Sequence, residues 1–194
     1  ARMVGKGARG AAARLYTAVD VQDERQLAFY EHNGFKMDYT EDLVRLNDPD
    51  EVPQLFNCSC ITLPLNTVQE QMDLVSRMRG AGFSYFDHGF LLQQMNRQNF
   101  AALGILYGSN LVGACVAAGQ YTSAEVMGLY IVPEFQRKGL GTRLLQQTKQ
   151  ALASTGVTDL TMRVMSDSEP QVRLVQRFRA ELVEHTSVFP SMQI

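Results

Sequence analysis

The apolar residues of this chain fall into short runs separated by glycine, proline and asparagine, and from about residue 60 the runs follow a regular order. Residues 61–65, Ile-Thr-Leu-Pro-Leu, read as a short strand. Thr67, followed three positions later by Glu70, makes a capping box that opens a helix to Met78, and Gly80-Ala-Gly82 stops it. Residues 90–96 suggest a second helix. Strands at 100–107 and 111–121 are joined by the hairpin turn Gly108-Ser-Asn110, whose residues tolerate positive φ. A strand at 124–132 closes on Pro133, a helix follows over 142–153, a strand over 159–165, and a last helix over 169–184. The pattern predicts an α/β domain.

The first part is shorter and partly repeats the second. Residues 14–19 read as a strand and 23–32 as a helix stopped by Asn33-Gly34, with strand candidates at 35–39 and 43–46. Asp48-Pro-Asp-Glu-Val-Pro53 has the composition of a linker. Strand then helix at 14–33 answers strand then helix at 159–184, an internal repeat. Aligning Val19 with Val164 sets Tyr30 opposite Val175 and Gly34-Phe35 opposite Arg179-Ala180.

Between the strand ending at Pro133 and the helix from Thr142 lies Gln136-Arg137-Lys138-Gly139-Leu140-Gly141. Strand, glycine turn, helix aims unpaired backbone N–H groups and the positive end of a helix dipole at an anion. Gly139 and Gly141 allow close backbone approach, and Arg137 and Lys138 add charge. The spacing lacks the Gly-Lys-Ser/Thr of a P-loop. It also lacks the third glycine of the dinucleotide fingerprint, where Leu144 stands.

With its preceding strand, Leu129-Tyr-Ile-Val-Pro133-Glu-Phe-Gln136-Arg-Lys-Gly139-Leu-Gly141 resembles the central motif of the GNAT superfamily of acyl-CoA-dependent N-acetyltransferases. The order of elements from 60 to 190 resembles that family too. So does Ala28-Phe-Tyr30-Glu-His-Asn-Gly34-Phe35, which is similar to the signature that ends such a domain. Arg2-Met-Val-Gly5-Lys-Gly7 resembles the preceding turn, although the chain from Gly7 to Arg14 is too short for the connecting helix of about three turns. The resemblance implies a GNAT-like mixed, largely antiparallel sheet flanked by helices, in a tandem arrangement. Residues 1–46 would be the C-terminal half of a first module, 47–59 a linker, and 60–194 a near-complete acetyl-CoA-binding domain. Alone, residues 1–46 would leave Leu27, Phe29, Tyr30 and Phe35 exposed. They are expected to pack against the second module's sheet or against another chain in a homodimer. The first is favoured because residues 186–194 look too short for the usual closing hairpin.

The resemblance further implies direct attack of a primary amine on the acetyl thioester of acetyl-CoA. Leu129, Tyr130 and Ile131 would lie along the pantetheine arm, and Gln136, Arg137, Lys138, Gly139, Leu140, Gly141 and Thr142 would cradle the pyrophosphate. Glu125, entering the strand that leads to the turn, is the candidate base, and Glu134 reads as a surface residue of the turn. The family's usual tyrosine acid matches Tyr30 in the first module but Val175 in the second. Tyr30 could reach the second site, serve a degenerate site of its own, or pack. Tyr121 and Tyr130 are alternative acids. Asp87-His88 lies in the segment that shapes the acceptor pocket in this family, and His185 suits a contact with a helix C-terminus. The alternative function is a CoA-binding or structural module without turnover.

Composition narrows the partners. A net charge of −2 over 194 residues argues against nucleic acid. No run reaches the roughly 18 apolar residues of a membrane helix, so no membrane partner is expected. Three cysteines, an odd number, favour a reducing compartment and a cytoplasmic location. Cys58-Ser-Cys60 has no nearby second pair or histidine to complete a metal site, so no metal is expected, and Cys115 reads as a small core residue. Small amines, amino acids, antibiotics and protein N-termini all suit the scaffold as acceptors.

Overall fold

The computed structural model describes residues 2–3 and 14–193. The elements are β1 (Arg2–Met3), β2 (Arg14–Tyr16), β3 (Val19–Asp20), α1 (Glu24–His32), β4 (Lys36–Arg45), β5 (Cys58–Thr62), α2 (Val68–Gly80), α3 (His88–Met95), β6 (Asn99–Tyr107), β7 (Asn110–Gln120), β8 (Ser123–Ile131), α4 (Leu140–Ala153), β9 (Asp159–Met165), α5 (Glu169–Arg177) and β10 (Glu181–Gln193), with a 3₁₀ turn at Pro133–Phe135. They divide into two compact units. One comprises Ala1–Val44, Arg163–Val175 and Glu181–Ile194; the other comprises Arg45–Met162 and Gln176–Ala180.

In the second of these units β5, β6, β7 and β8 form antiparallel neighbours in that order, and β8 runs parallel to the start of β9. Successive strand residues point to opposite faces. Ala114 and Val116 of β7 face a core built with Leu74, Val75 and Met78 of α2 and Leu91 of α3. The intervening Cys115 faces Thr148 of α4 on the other side. Helix α2 starts with its full capping box: the Thr67 side chain accepts from the Glu70 N–H, and Glu70 accepts from the Thr67 N–H at 2.9 Å.

In the other unit β10 pairs antiparallel with β2 and β3. Its side chains also tie to β4: His185 to Asp42, Thr186 to Glu41 and Ser191 to Asp38. Tyr39 stacks on Phe189 with ring centroids 4.8 Å apart.

Four expectations change. The last helix does not reach residue 184; it stops at Arg177, Arg179 turns left-handed at φ 46°, and the 13-residue strand β10 begins at Glu181. β-Branched Val183, Thr186 and Val188 suit that strand, so the chain end is long enough to pair. The two strand candidates at 35–39 and 43–46 are one strand, β4. The strand expected at 14–19 is split into β2 and β3, and β5 starts inside the stretch read as linker. The turn resemblance at Gly5 and Gly7 lies outside the described residues.

The two stretches compared in the sequence share one spacing. Helix α1 runs from Glu24 to His32 and α5 from Glu169 to Arg177, both nine residues. The left-handed residues that follow are Gly34 and Arg179, and the next strands start at Lys36 and Glu181. Every one of these pairs is 145 positions apart.

Candidate functional site

The turn after β8 is built from backbone. Val132 N–H donates to Val112 O at 2.9 Å, and Pro133–Phe135 makes a single 3₁₀ turn. Gln136 then donates from Nε2 to the Ile131 carbonyl at 2.9 Å, fastening the turn to the strand end. Arg137 (φ 60°) and Gly139 (φ 84°) are both left-handed, and α4 begins at Leu140 without a side-chain cap among the described residues. The N–H groups of Leu140, Gly141 and Thr142 therefore have no acceptor within the helix and sit at its positive end. The side chains of Leu140 and Thr142 are buried, so these two residues offer backbone. Gln136, Arg137 and Lys138 are exposed around the rim. Lys138 donates to Glu134 O at 2.8 Å and lies 5.0 Å above the Phe135 ring, while Glu134 is an exposed turn residue as expected. Chemically this geometry is able to seat an anion.

Gly139 is required twice over. Its φ disfavours any side chain, and a Cβ there would stand 2.7 Å and 3.0 Å from Pro53 carbons. Pro53, in the stretch expected to be a linker, lies against the turn. Lys149 and Asp48 pair at 2.8 Å, and Asp50 N–H donates to Arg177 O at 3.2 Å.

Strand β8 offers an open edge leading away from the turn. Its parallel pairing with β9 covers Ser123 to Val126 and stops there. On the other side the register with β7 shifts at the same point, leaving Met127 as the extra residue of a β-bulge. Beyond it, Leu129, Tyr130 and Ile131 keep their pairing with β7, and among the described residues no strand pairs their β9-side edge. The Tyr130 side chain points into the core, 8% exposed, with no hydrogen-bond partner for its hydroxyl. Burial pushes its phenol up; Arg77 lies near enough to oppose that rise without making a sound hydrogen bond. An acid for the open edge it is not.

Glu125 is half-buried and sits opposite Ala118 of β7 and Thr161 of β9. Directly opposed residues of an antiparallel pair share a face, and Ala118 shares a face with Val116 and Ala114. Glu125 therefore occupies the face of the sheet that carries α2 and α3. Over the bulge beside it, Tyr85 from the α2–α3 loop donates its hydroxyl to the Met127 carbonyl at 2.7 Å. Phe83, Tyr85 and Phe90 form edge-to-face contacts with centroids 6.1 and 5.5 Å apart. The sequence points to this loop but not to Tyr85 itself, since nothing in its spacing links residue 85 to 127.

His88 does not face an open site. Its Nε2 lies 2.7 Å from Gln71 Oε1, and Gln71 Nε2 donates to Leu65 O at 2.9 Å. His88 must then be the donor, and it fastens α3 to α2. Tyr121, 79% exposed and left-handed, belongs to the β7–β8 hairpin at the opposite end of β8 from the glycine turn. His185 lies in β10 and pairs with Asp42 at 2.7 Å. Tyr30 belongs to the other unit, where its ring meets Phe29 and Phe35 at 5.4 and 5.0 Å. Among the described residues no group of three or more His, Cys, Asp or Glu could hold a metal ion, and no helix is long and apolar enough to cross a membrane.

Comparison with known proteins gives a consistent picture. The profile of the acetyltransferase (GNAT) family matches residues 69–179. A comparison with curated protein sequences gave no match. A GCN5-related N-acetyltransferase from Sphaerobacter thermophilus is 14% identical with a TM-score of 0.68, covering 94% of this chain and 60% of that one. A tandem GNAT protein from the clavulanic acid biosynthesis pathway is 19% identical with a TM-score of 0.62, covering 93% and 64%. A GNAT family acetyltransferase from Elizabethkingia anophelis with acetyl-CoA bound is 13% identical with a TM-score of 0.53, covering 72% and 100%. The chain thus spans less than two thirds of the first and second of these structures.

Proposed function

The chain belongs to the acetyltransferase (GNAT) family, and from that premise we propose that it is an N-acetyltransferase moving an acetyl group from acetyl-CoA to a primary amine by direct attack. The observation that carries this reading is the continuity of two backbone features: an uncapped helix start behind left-handed Gly139, and the open β8 edge that runs from it to Met127. A pyrophosphate at Gln136–Thr142 would leave its arm to run back along Ile131, Tyr130 and Leu129. The thioester would then reach the bulge at Met127, two residues from Glu125.

Glu125 takes the proton from the attacking ammonium, directly or through water. The neutral nitrogen adds to the acetyl carbon, the C–S bond breaks, and the thiolate of CoA leaves with a proton. An amine acceptor fits a carboxylate on that face. Glu125→Gln should lower turnover roughly 10²- to 10⁴-fold with acetyl-CoA binding unchanged, read by thiol release across an amine panel. Full activity in the variant would move the base elsewhere.

The tandem organisation, with residues 1–46 as half of a first module, 47–59 as a connector and 60–194 as the acetyl-CoA domain, is part of the same reading. The 145-residue register of helix, left-handed corner and strand supports it. A second reading, a CoA-binding module without turnover, is favoured by buried Val175 at the position matching Tyr30. Tight CoA binding with no thiol release on any amine would select it. No metal, nucleic acid or membrane enters either reading, and a homodimer remains an arrangement for sedimentation to test.

A further inference from the structure

We infer that Tyr85 is the proton donor to the departing thiolate, an inference that rests on the function proposed above. An arm laid from the glycine turn along the open edge of β8 can follow it only as far as that edge stays open. The edge closes at Val126, where β8 meets Met162 of β9. The reacting sulfur must therefore lie near the Met127 bulge. At that carbonyl, 2.7 Å away, sits the Tyr85 hydroxyl.

Three further features suit the role. Tyr85 is 55% exposed, so the residue is not sealed in the core. Its ring is held by edge contacts with Phe83 and Phe90, which orient the hydroxyl. Glu125 stands two residues before Met127 on the face that carries α2 and α3. Base and acid thus flank one carbonyl, as transfer between two heteroatoms demands. The position where the repeat would place a tyrosine holds Val175 instead.

The step balances. As the tetrahedral adduct collapses, the C–S electron pair goes to sulfur. The Tyr85 O–H turns from the Met127 carbonyl to the thiolate and transfers its proton. The phenolate recovers a proton from solvent or from Glu125, which holds the one removed from the amine.

Hydroxylamine, an amine already neutral at pH 7, serves as acceptor so that the base is not limiting. With acetyl-CoA as donor, Tyr85→Phe should form hydroxamate about 10²-fold more slowly than wild type, with acetyl-CoA affinity unchanged. The alkaline limb of the wild-type rate profile should vanish. Tyr85→His, which keeps a proton donor but one of a type that titrates at lower pH than a phenol, should restore part of the rate with the limb moved to lower pH. Rates within twofold of wild type in Tyr85→Phe, or a rate loss matched by lost acetyl-CoA binding, would overturn the assignment. A wild-type protein that binds no acetyl-CoA would overturn the proposed function and the inference with it. Normal binding with an indifferent Tyr85→Phe overturns the inference alone.

Discussion

Replacing Gly139 by alanine tests the turn at its most constrained point. Two costs arise from separate geometry. At φ 84° an alanine Cβ crowds the following carbonyl, for about 1–2 kcal/mol. The same Cβ would stand 2.7 and 3.0 Å from Cγ and Cβ of Pro53, closer than carbon contacts allow, and overpacking of that kind costs about 1–3 kcal/mol. Together they amount to at least roughly 2 kcal/mol, or a fall in Tm of about 4–8 °C for a chain of this size. Pro53→Gly removes the second cost and not the first. Thermal unfolding of wild type, Gly139→Ala, Pro53→Gly and the double variant should therefore show a favourable coupling of about 1–3 kcal/mol between the substitutions. CoA binding should stay weakened in the double variant, because the left-handed corner that aims the N–H groups is still strained. Gly139→Ala with wild-type stability, or a coupling under about 0.5 kcal/mol, would refute the packing of residue 53 on the turn. Wild-type CoA affinity in Gly139→Ala would refute the anion seat.

Other consequences follow from single contacts. His88→Ala strands the buried Gln71 Oε1 at a cost of about 1–3 kcal/mol, and His88→Asn should lose less, read by urea denaturation. Burial pushes the Cys115 thiol up to about 12 from 9.0. Its folded pKa is raised, so this stabilising contribution is full below pH 9 and is lost by up to about 1.4 kcal/mol per pH unit between 9 and 12; Cys115→Ala should flatten that alkaline fall. A chain starting at residue 56 removes β2, β3 and β4, to which β10 is paired and bonded, and should be insoluble or strongly destabilised. If it folds, stays monomeric and binds CoA normally, residues 1–46 are dispensable.

Local signals were legible where one short stretch determines its own shape. The capping box at Thr67 and Glu70, the hairpin at Gly108 and the glycine turn at Gly139 all stand where the sequence places them. Glycine at a left-handed corner and a threonine cap act over three or four residues, within reach of sequence reading. The end of α5 was hidden because the corner residue is Arg179, which does not announce positive φ as Gly34 does. The fate of His88 depends on Gln71, seventeen positions away, and that of Tyr85 on Met127, forty-two away. The bulge that aims Met127 exists only in the pairing of β8 with β7.

The 145-residue register bears on where the chemistry resides. Helix length, left-handed corner and following strand agree between the stretches 24–36 and 169–181, while the side chains at matched places do not. Gly34 holds the corner without strain, whereas Arg179 accepts a cost of about 1–2 kcal/mol and ties its side chain to Asp50. Tyr30 packs with Phe29 and Phe35; Val175, its counterpart, is buried at 7% exposure. The two helix ends share a geometry, and the valine at the second offers no hydroxyl. On the proposed tandem reading, a hydroxyl is sought in the unit that holds the glycine turn. Among its tyrosines, Tyr130 is aimed into the core and Tyr121 sits at the opposite hairpin. Tyr107, at the end of β6, is committed to a ring contact with Phe135. Tyr85 alone of these four places its hydroxyl at the bulge.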